Sequence, residues 1–93
     1  MKTVLRDSAV ADLERICGYI AEDSPANARA VAQRLLDAIE NGIAWFPYMG
    51  RVGRVRGTRE CVVRGLPFIV VYRVDDQRGI VWVEAVFHGA QDR

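Results

Sequence analysis

The segment from Gly50 to Gly65 concentrates the positive charge of the chain. It contains one acid, Glu60, four glycines, and five arginines: Arg51, Arg54, Arg56, Arg59 and Arg64. Guanidinium groups form paired hydrogen bonds with phosphates and carboxylates. The segment therefore predicts a surface for an anionic partner, either a nucleic acid or an acidic protein segment. We expect its glycines to keep it adaptable and its backbone N–H groups accessible.

His88 is the one histidine of the chain, and its ordinary pKa suits acid–base chemistry near neutral pH. Cleavage of RNA by its own 2′-OH needs a base, an acid and a cation that stabilises the charged phosphorane. His88, Arg59 and Arg73 form the candidate catalytic set of a metal-independent endoribonuclease. The structural alternatives are a surface or capping role for His88, a Glu84 or backbone partner for Arg59, and a Glu60 or Glu84 partner for Arg73.

The two cysteines, Cys17 and Cys61, are far apart in the sequence and form no CxxC pair. We interpret them as small buried side chains of a reducing compartment. With one histidine and no paired cysteines, the sequence predicts no metal site, and no motif indicates a cofactor.

The composition fits one domain over residues 1–93. The net charge is +1 and 51% of the residues are hydrophobic, which favours a folded chain. No apolar run approaches the ~20 residues of a membrane-spanning helix, and the first residues resemble no secretion signal. We therefore expect a cytoplasmic protein with no membrane partner.

Two helices are predicted in the first half of the chain. Leu13, Ile16 and Ile20 share one face of a helix over 7–23, with Ser8 as its expected N-cap. Ser24 followed by Pro25 is a strong start signal for a second helix, which Pro47 ends. The short connection predicts an antiparallel helical hairpin.

Strand patterns cover 2–6, 58–64, 68–74 and 80–88, with a short extended piece at 51–55. The order β-α-α-β-β-β predicts a two-layer α+β fold, a helical hairpin on an antiparallel sheet of four strands. Strand 68–74 is apolar on both faces, so we expect loop 47–57, another copy or a partner to cover its second face. Core or hinge packing is predicted for Trp45, Phe46, Tyr48 and Met49, with contact to a partner as the alternative. Trp82 is predicted to pack in the core.

An ordered set of motifs resembles the RelE/ParE superfamily of bacterial toxins. The matching pieces are Asp12-Leu13, Ser24-Pro25, Gly50-Arg51, Gly57-Thr58-Arg59-Glu60, Val71-Tyr72-Arg73 and His88. The resemblance spans nearly the whole chain. It implies the fold derived above, growth inhibition, a role in plasmid stabilisation, and a cognate antitoxin whose disordered tail folds along the toxin. Operator DNA would be contacted only through that antitoxin.

The superfamily implies two different targets. RelE-like members cut mRNA on the ribosome, whereas ParE-like members poison DNA gyrase. RelE-like nucleases carry an arginine three residues before the strand tyrosine, where this chain has Ile69, and a tyrosine or lysine in the tail, where it has Gly89 and Ala90. The spacing of His88 and Asp92 is similar to that of ParE-like tails.

Three hypotheses follow for the function. The first is a ParE-like toxin that binds gyrase, the second is a RelE-like mRNA interferase that uses His88, Arg59 and Arg73, and the third is an inactive member that only binds its antitoxin. In each, the residues expected to contact the target or the antitoxin are Arg51, Arg54, Arg56, Arg59, Arg64 and Arg73.

Overall fold

A computed structural model describes residues 1–90 as two helices packed on a five-stranded sheet. The α+β class and the helical hairpin are as predicted. The elements are β1 (Lys2–Leu5), α1 (Asp7–Asp23), α2 (Pro25–Asp37), a π-helical turn (Ala38–Ile43), β2 (Arg51–Val52), β3 (Arg59–Val62), β4 (Phe68–Asp75) and β5 (Ile80–His88). Across the sheet, the strands follow the order β1-β5-β4-β3-β2.

The sheet differs from the predicted four-stranded antiparallel meander in two respects. The short extended piece, β2, joins the sheet as a fifth strand beside β3. The first strand pairs parallel to the last one, with Lys2 opposite Ile80 and Leu5 opposite Val83. A parallel pairing needs a long crossover, and the helical hairpin between β1 and the later strands supplies it.

The bounds of α1 and the start of α2 match the predictions, but the second helix ends earlier than predicted: α2 stops at Asp37 and the π-helical turn at Ile43, before Pro47. One of the two predicted caps is also wrong. Ser24 accepts a hydrogen bond from the Asn27 N–H at 3.2 Å, and Pro25 occupies the first helical position. Ser8, by contrast, lies inside α1, and its hydroxyl donates to the Glu84 carbonyl. Arg6 occupies the N-cap position and its side chain makes no capping hydrogen bond. The Ser8 hydroxyl attaches α1 to the sheet instead of capping the helix.

The core lies between the helices and one face of the sheet. Leu35 and Ile39 of the helical segment meet Val70 and Tyr72 of β4, and all four are fully buried. Because side chains alternate along a strand, Ile69 and Val71 belong to the opposite face, yet they are only 7% and 2% exposed.

Loop 47–57 provides part of the cover for this second face. The Arg73 guanidinium donates to the Arg56 carbonyl at 3.1 Å. The prediction that Trp82 packs in the core is wrong. Its position in β5 places it on this second face, where the Arg6 guanidinium stacks 4.5 Å from the ring centre.

The fully buried Tyr72 attaches the loop after the π-helical turn to the sheet. Its hydroxyl donates to the Pro47 carbonyl at 2.7 Å and accepts from the Gly50 N–H at 3.0 Å. Burial raises the pKa of this phenol. A Cβ on Gly50 would lie 2.6 Å from the Tyr72 oxygen, so this glycine permits close approach. Gly50 thus serves close packing against Tyr72, whereas it was expected to keep the segment adaptable.

We expect Tyr72→Phe to lower the free energy of unfolding by about 1–3 kcal/mol, because the Pro47 carbonyl and the Gly50 N–H lose a buried partner. Urea unfolding followed by circular dichroism measures this. Tyr19→Phe is the matched control, since that side chain is 75% exposed and its change should stay within about 0.5 kcal/mol. Equal stability of the two variants would contradict the role of the Tyr72 hydroxyl.

Candidate functional site

The arginine loop, defined as residues 50–58, contains three of the six arginines predicted to bind a partner, and Arg59 and Arg73 contact it. Arg51 and Arg54 both contact Glu60, and Arg59 donates to the Gly50 carbonyl at 2.7 Å. Arg73 reaches the loop through the Arg56 carbonyl. Arg64 lies elsewhere, in the turn after β3, where its carbonyl accepts from Arg34.

Glu60 fixes the arginine loop from within the sheet. Its side chain is 2% exposed, and it accepts from the Arg54 N–H at 3.0 Å and from the Arg51 guanidinium at 3.3 Å. A buried carboxylate must be paired and hydrogen-bonded, and this one is satisfied by the loop itself. The loop therefore has a defined shape, and 62% of the Arg51 side chain still faces solvent.

Arg59 and Arg73 make structural contacts of the kinds that the sequence offered as alternatives to catalysis. Arg59 donates to the backbone carbonyls of Gly50 and Tyr48, and its guanidinium lies 4.9 Å from the centre of the Tyr48 ring. Arg73 donates to Glu84 at 2.6 Å, and Arg6 contacts the same carboxylate at 2.8 Å. Both guanidinium groups thus connect chain segments.

His88 stands apart from these arginines. It pairs with Phe68 across β4 and β5, whereas Arg59 pairs with Tyr72. Four residues along β4 correspond to about 13 Å. Arg73 follows Tyr72 and so projects from the opposite face of the sheet. The structure therefore does not bring His88, Arg59 and Arg73 together.

The contacts of His88 belong to the end of β5. Its Nδ1 accepts from the Ala90 N–H at 3.0 Å, and its ring meets Phe68 edge-on at 5.7 Å between centroids. These contacts correspond to the capping role that the sequence offered as an alternative. Asp92, the second residue of the predicted tail motif, lies outside the described residues.

The aromatic turn, defined as residues 45–49, is exposed, so the prediction that it packs in the core is wrong and the alternative of a partner contact stays open. Trp45 is 72% exposed, Phe46 67%, Met49 57% and Tyr48 53%. The helical period ends at Ile43 and the turn begins two residues later. Pro47 in the middle of this apolar run was the available signal, since connections marked by proline lie at the surface.

An apolar groove opens at the other end of the sheet, between the helices and the turn after β3. Its volume is about 650 Å³. Its walls are the apolar side chains of Ile16, Tyr19, Ile20, Val31, Leu66, Pro67 and Phe68, with Arg15 and His88 as polar members. A groove of this size and chemistry can receive the apolar face of a partner helix.

The described residues offer little for metal or thiol chemistry. In residues 1–90, no group of three or more His, Cys, Asp or Glu side chains is placed to hold a metal ion. Burial raises the pKa of both Cys17 and Cys61, which disfavours the reactive thiolate. No helix in this part of the chain is long and apolar enough to cross a bilayer.

Comparison with known proteins identifies the family. A family model described as the ParE toxin of the type II toxin–antitoxin system parDE matches residues 4–93. The chain belongs to the ParE toxin family. A Sinorhizobium fredii protein named "Putative toxin Y4kP" is 38% identical over 66 residues, which cover 71% of this ParE-family chain and 68% of that protein.

Solved structures share the fold of this ParE-family chain. The chromosomal ParDE system of P. aeruginosa superposes with a TM-score of 0.79 and 21% identity over 95% of both chains. The RelBE2 complex of Mycobacterium tuberculosis gives 0.63 at 21% identity, over 94% of this chain and 95% of that one. The E. coli RelBE complex gives 0.60 at 13%, over 99% and 98%. The resemblance inferred from the sequence is confirmed, and the chain is the toxin component of a type II system.

We expect Glu60→Gln to lower the free energy of unfolding by about 2 kcal/mol, because the Arg54 N–H and Arg51 lose a charged, buried acceptor. Amide hydrogen exchange should also show faster exchange at Arg54. Glu22→Gln, at an exposed position, is the control and should change stability by no more than about 0.5 kcal/mol. Unchanged exchange at Arg54 would show that Glu60 does not hold the loop.

Proposed function

We propose that this ParE-family toxin arrests growth by binding a protein target, DNA gyrase, and that it does so without cutting RNA. The observation that carries the proposal is the dispersal of the candidate catalytic residues. Arg59 and Arg73 are engaged in backbone and carboxylate contacts, and His88 lies about 13 Å along the sheet from Arg59. Stabilising a phosphorane requires donors that converge on one point.

Ile69 supports the same proposal. It occupies the position at which the resemblance to RelE-like nucleases implies an arginine, and it is 7% exposed within β4. A buried isoleucine cannot supply the missing cation. A protein-binding role, in contrast, requires only accessible surfaces with complementary chemistry, and the arginine loop and the aromatic turn provide them.

The toxin is proposed to be neutralised by a cognate antitoxin. Proteins of similar fold have been solved as ParDE and RelBE toxin–antitoxin systems. The apolar groove suits an amphipathic helix of such a partner, and the arginine loop suits acidic residues in its tail. Contact with operator DNA would run through the antitoxin, because the net charge of the toxin is only +1.

We expect the purified protein to inhibit supercoiling by purified gyrase, and its induction in cells to cause filamentation and DNA-damage signalling. His88→Gln should be as toxic as the wild type, because a toxin that acts by binding needs no proton transfer at position 88. Growth curves at matched protein levels measure this.

Cleavage of mRNA distinguishes the nuclease alternative from the gyrase proposal. An abrupt stop in translation with cleaved mRNA, lost in His88→Gln, would replace the gyrase proposal with an mRNA interferase. Unchanged supercoiling at stoichiometric excess of toxin would also refute the gyrase proposal. Absence of growth arrest on wild-type induction would indicate a member that only binds its antitoxin.

A further inference from the structure

The aromatic turn is exposed but held in a fixed conformation. The N–H groups of Trp45 and Phe46 donate to the Gly42 carbonyl at 3.2 and 2.9 Å, and the Met49 N–H donates to the Phe46 carbonyl at 3.0 Å. Tyr72 and Arg59 bind the carbonyls of Pro47 and Tyr48. Binding through such a turn costs little conformational entropy, because its backbone is ordered before a partner arrives.

The chemistry of the aromatic turn is that of an interface centre. Trp, Tyr, Met and Arg are the residue types enriched there. Arg59 stacks on Tyr48, and Arg51 lines the same shallow depression as Met49 and Val62, a valine that is itself 59% exposed. Large apolar side chains are therefore exposed beside positive charge.

The shapes of the two apolar surfaces suit partners of different kinds. The groove is concave and can receive a helix from a chain that folds on binding. Trp45 and Phe46 instead line a more open depression of about 510 Å³, together with Pro47, Tyr48 and Met49. An ordered surface of exposed aromatic side chains suits the apolar centre of an interface between two folded proteins. We propose that the aromatic turn is the surface by which this toxin docks on its folded target, against an apolar patch rimmed by acidic side chains. This inference rests on the proposed function.

The test compares variants in which a single exposed side chain is removed. Trp45→Ser and Met49→Ser change the aromatic turn. Tyr19→Ser is the matched control, because Tyr19 is as exposed as Trp45, 75% against 72%, but lines the groove. Each full-length variant is checked by thermal unfolding, then assayed for growth arrest, for binding to purified gyrase, and for binding to the protein encoded beside it.

The expected results form a double dissociation. Trp45→Ser should weaken gyrase binding by about 30-fold or more, abolish growth arrest, and leave antitoxin binding within about twofold of the wild type. Tyr19→Ser should weaken antitoxin binding and leave gyrase binding and growth arrest close to those of the wild type. Wild-type gyrase binding should also weaken as salt is raised, because acidic side chains face the arginines.

Several results would overturn the inference. They are full toxicity of both folded turn variants, loss of antitoxin binding by these variants with target binding intact, or gyrase binding that does not weaken with salt. A wild type that arrests growth without binding gyrase would refute gyrase as the target. The effect of the turn variants on growth arrest would then test the docking surface. A wild type that causes no arrest would refute the proposed function and the docking surface with it.

Discussion

The attachment of the arginine loop to the sheet is the constraint on which the candidate binding surface depends. The buried hydroxyl of Tyr72 hydrogen-bonds to the backbone of Pro47 and Gly50. In the next part of the loop, the Glu60 carboxylate accepts from the Arg54 N–H. Arg59 and Arg73 add carbonyl contacts from the two faces of the sheet. Because strand residues supply all these contacts, the position of the loop follows directly from the register of β3 against β4.

This arrangement explains why arginines that look catalytic in the sequence act as connectors in the fold. A guanidinium has five donors in a rigid fork, so one side chain can bind two carbonyls, as Arg59 does, or a carbonyl and a carboxylate, as Arg73 does. A toxin that works by binding gains from this use, since a rigid surface loses less entropy on association.

Much of the fold could be predicted from the sequence because the signals were local. Ser24 and Pro25 mark the start of α2, and the short run of β-branched and aromatic residues over 68–74 marks β4. The parallel pairing of β1 with β5 could not be read from local pattern, because register between distant strands depends on packing. Ser8 was misjudged as a cap because its partner, the Glu84 carbonyl, is distant in the sequence. Core packing was preferred over exposure for Trp45 and Phe46 because hydrophobicity alone does not distinguish an exposed apolar side chain from a buried one.

The pairing of β1 has a consequence for the order in which the chain can fold. Residues 2–5 have residues 80–83 as their strand neighbour, so this part of the sheet cannot form until residues 80–83 have left the ribosome. Contacts that join such distant segments slow folding, since a large loop must close first. β5 follows the other four strands in the sequence but lies between β1 and β4 in the sheet, and its addition completes the platform that supports the helical hairpin.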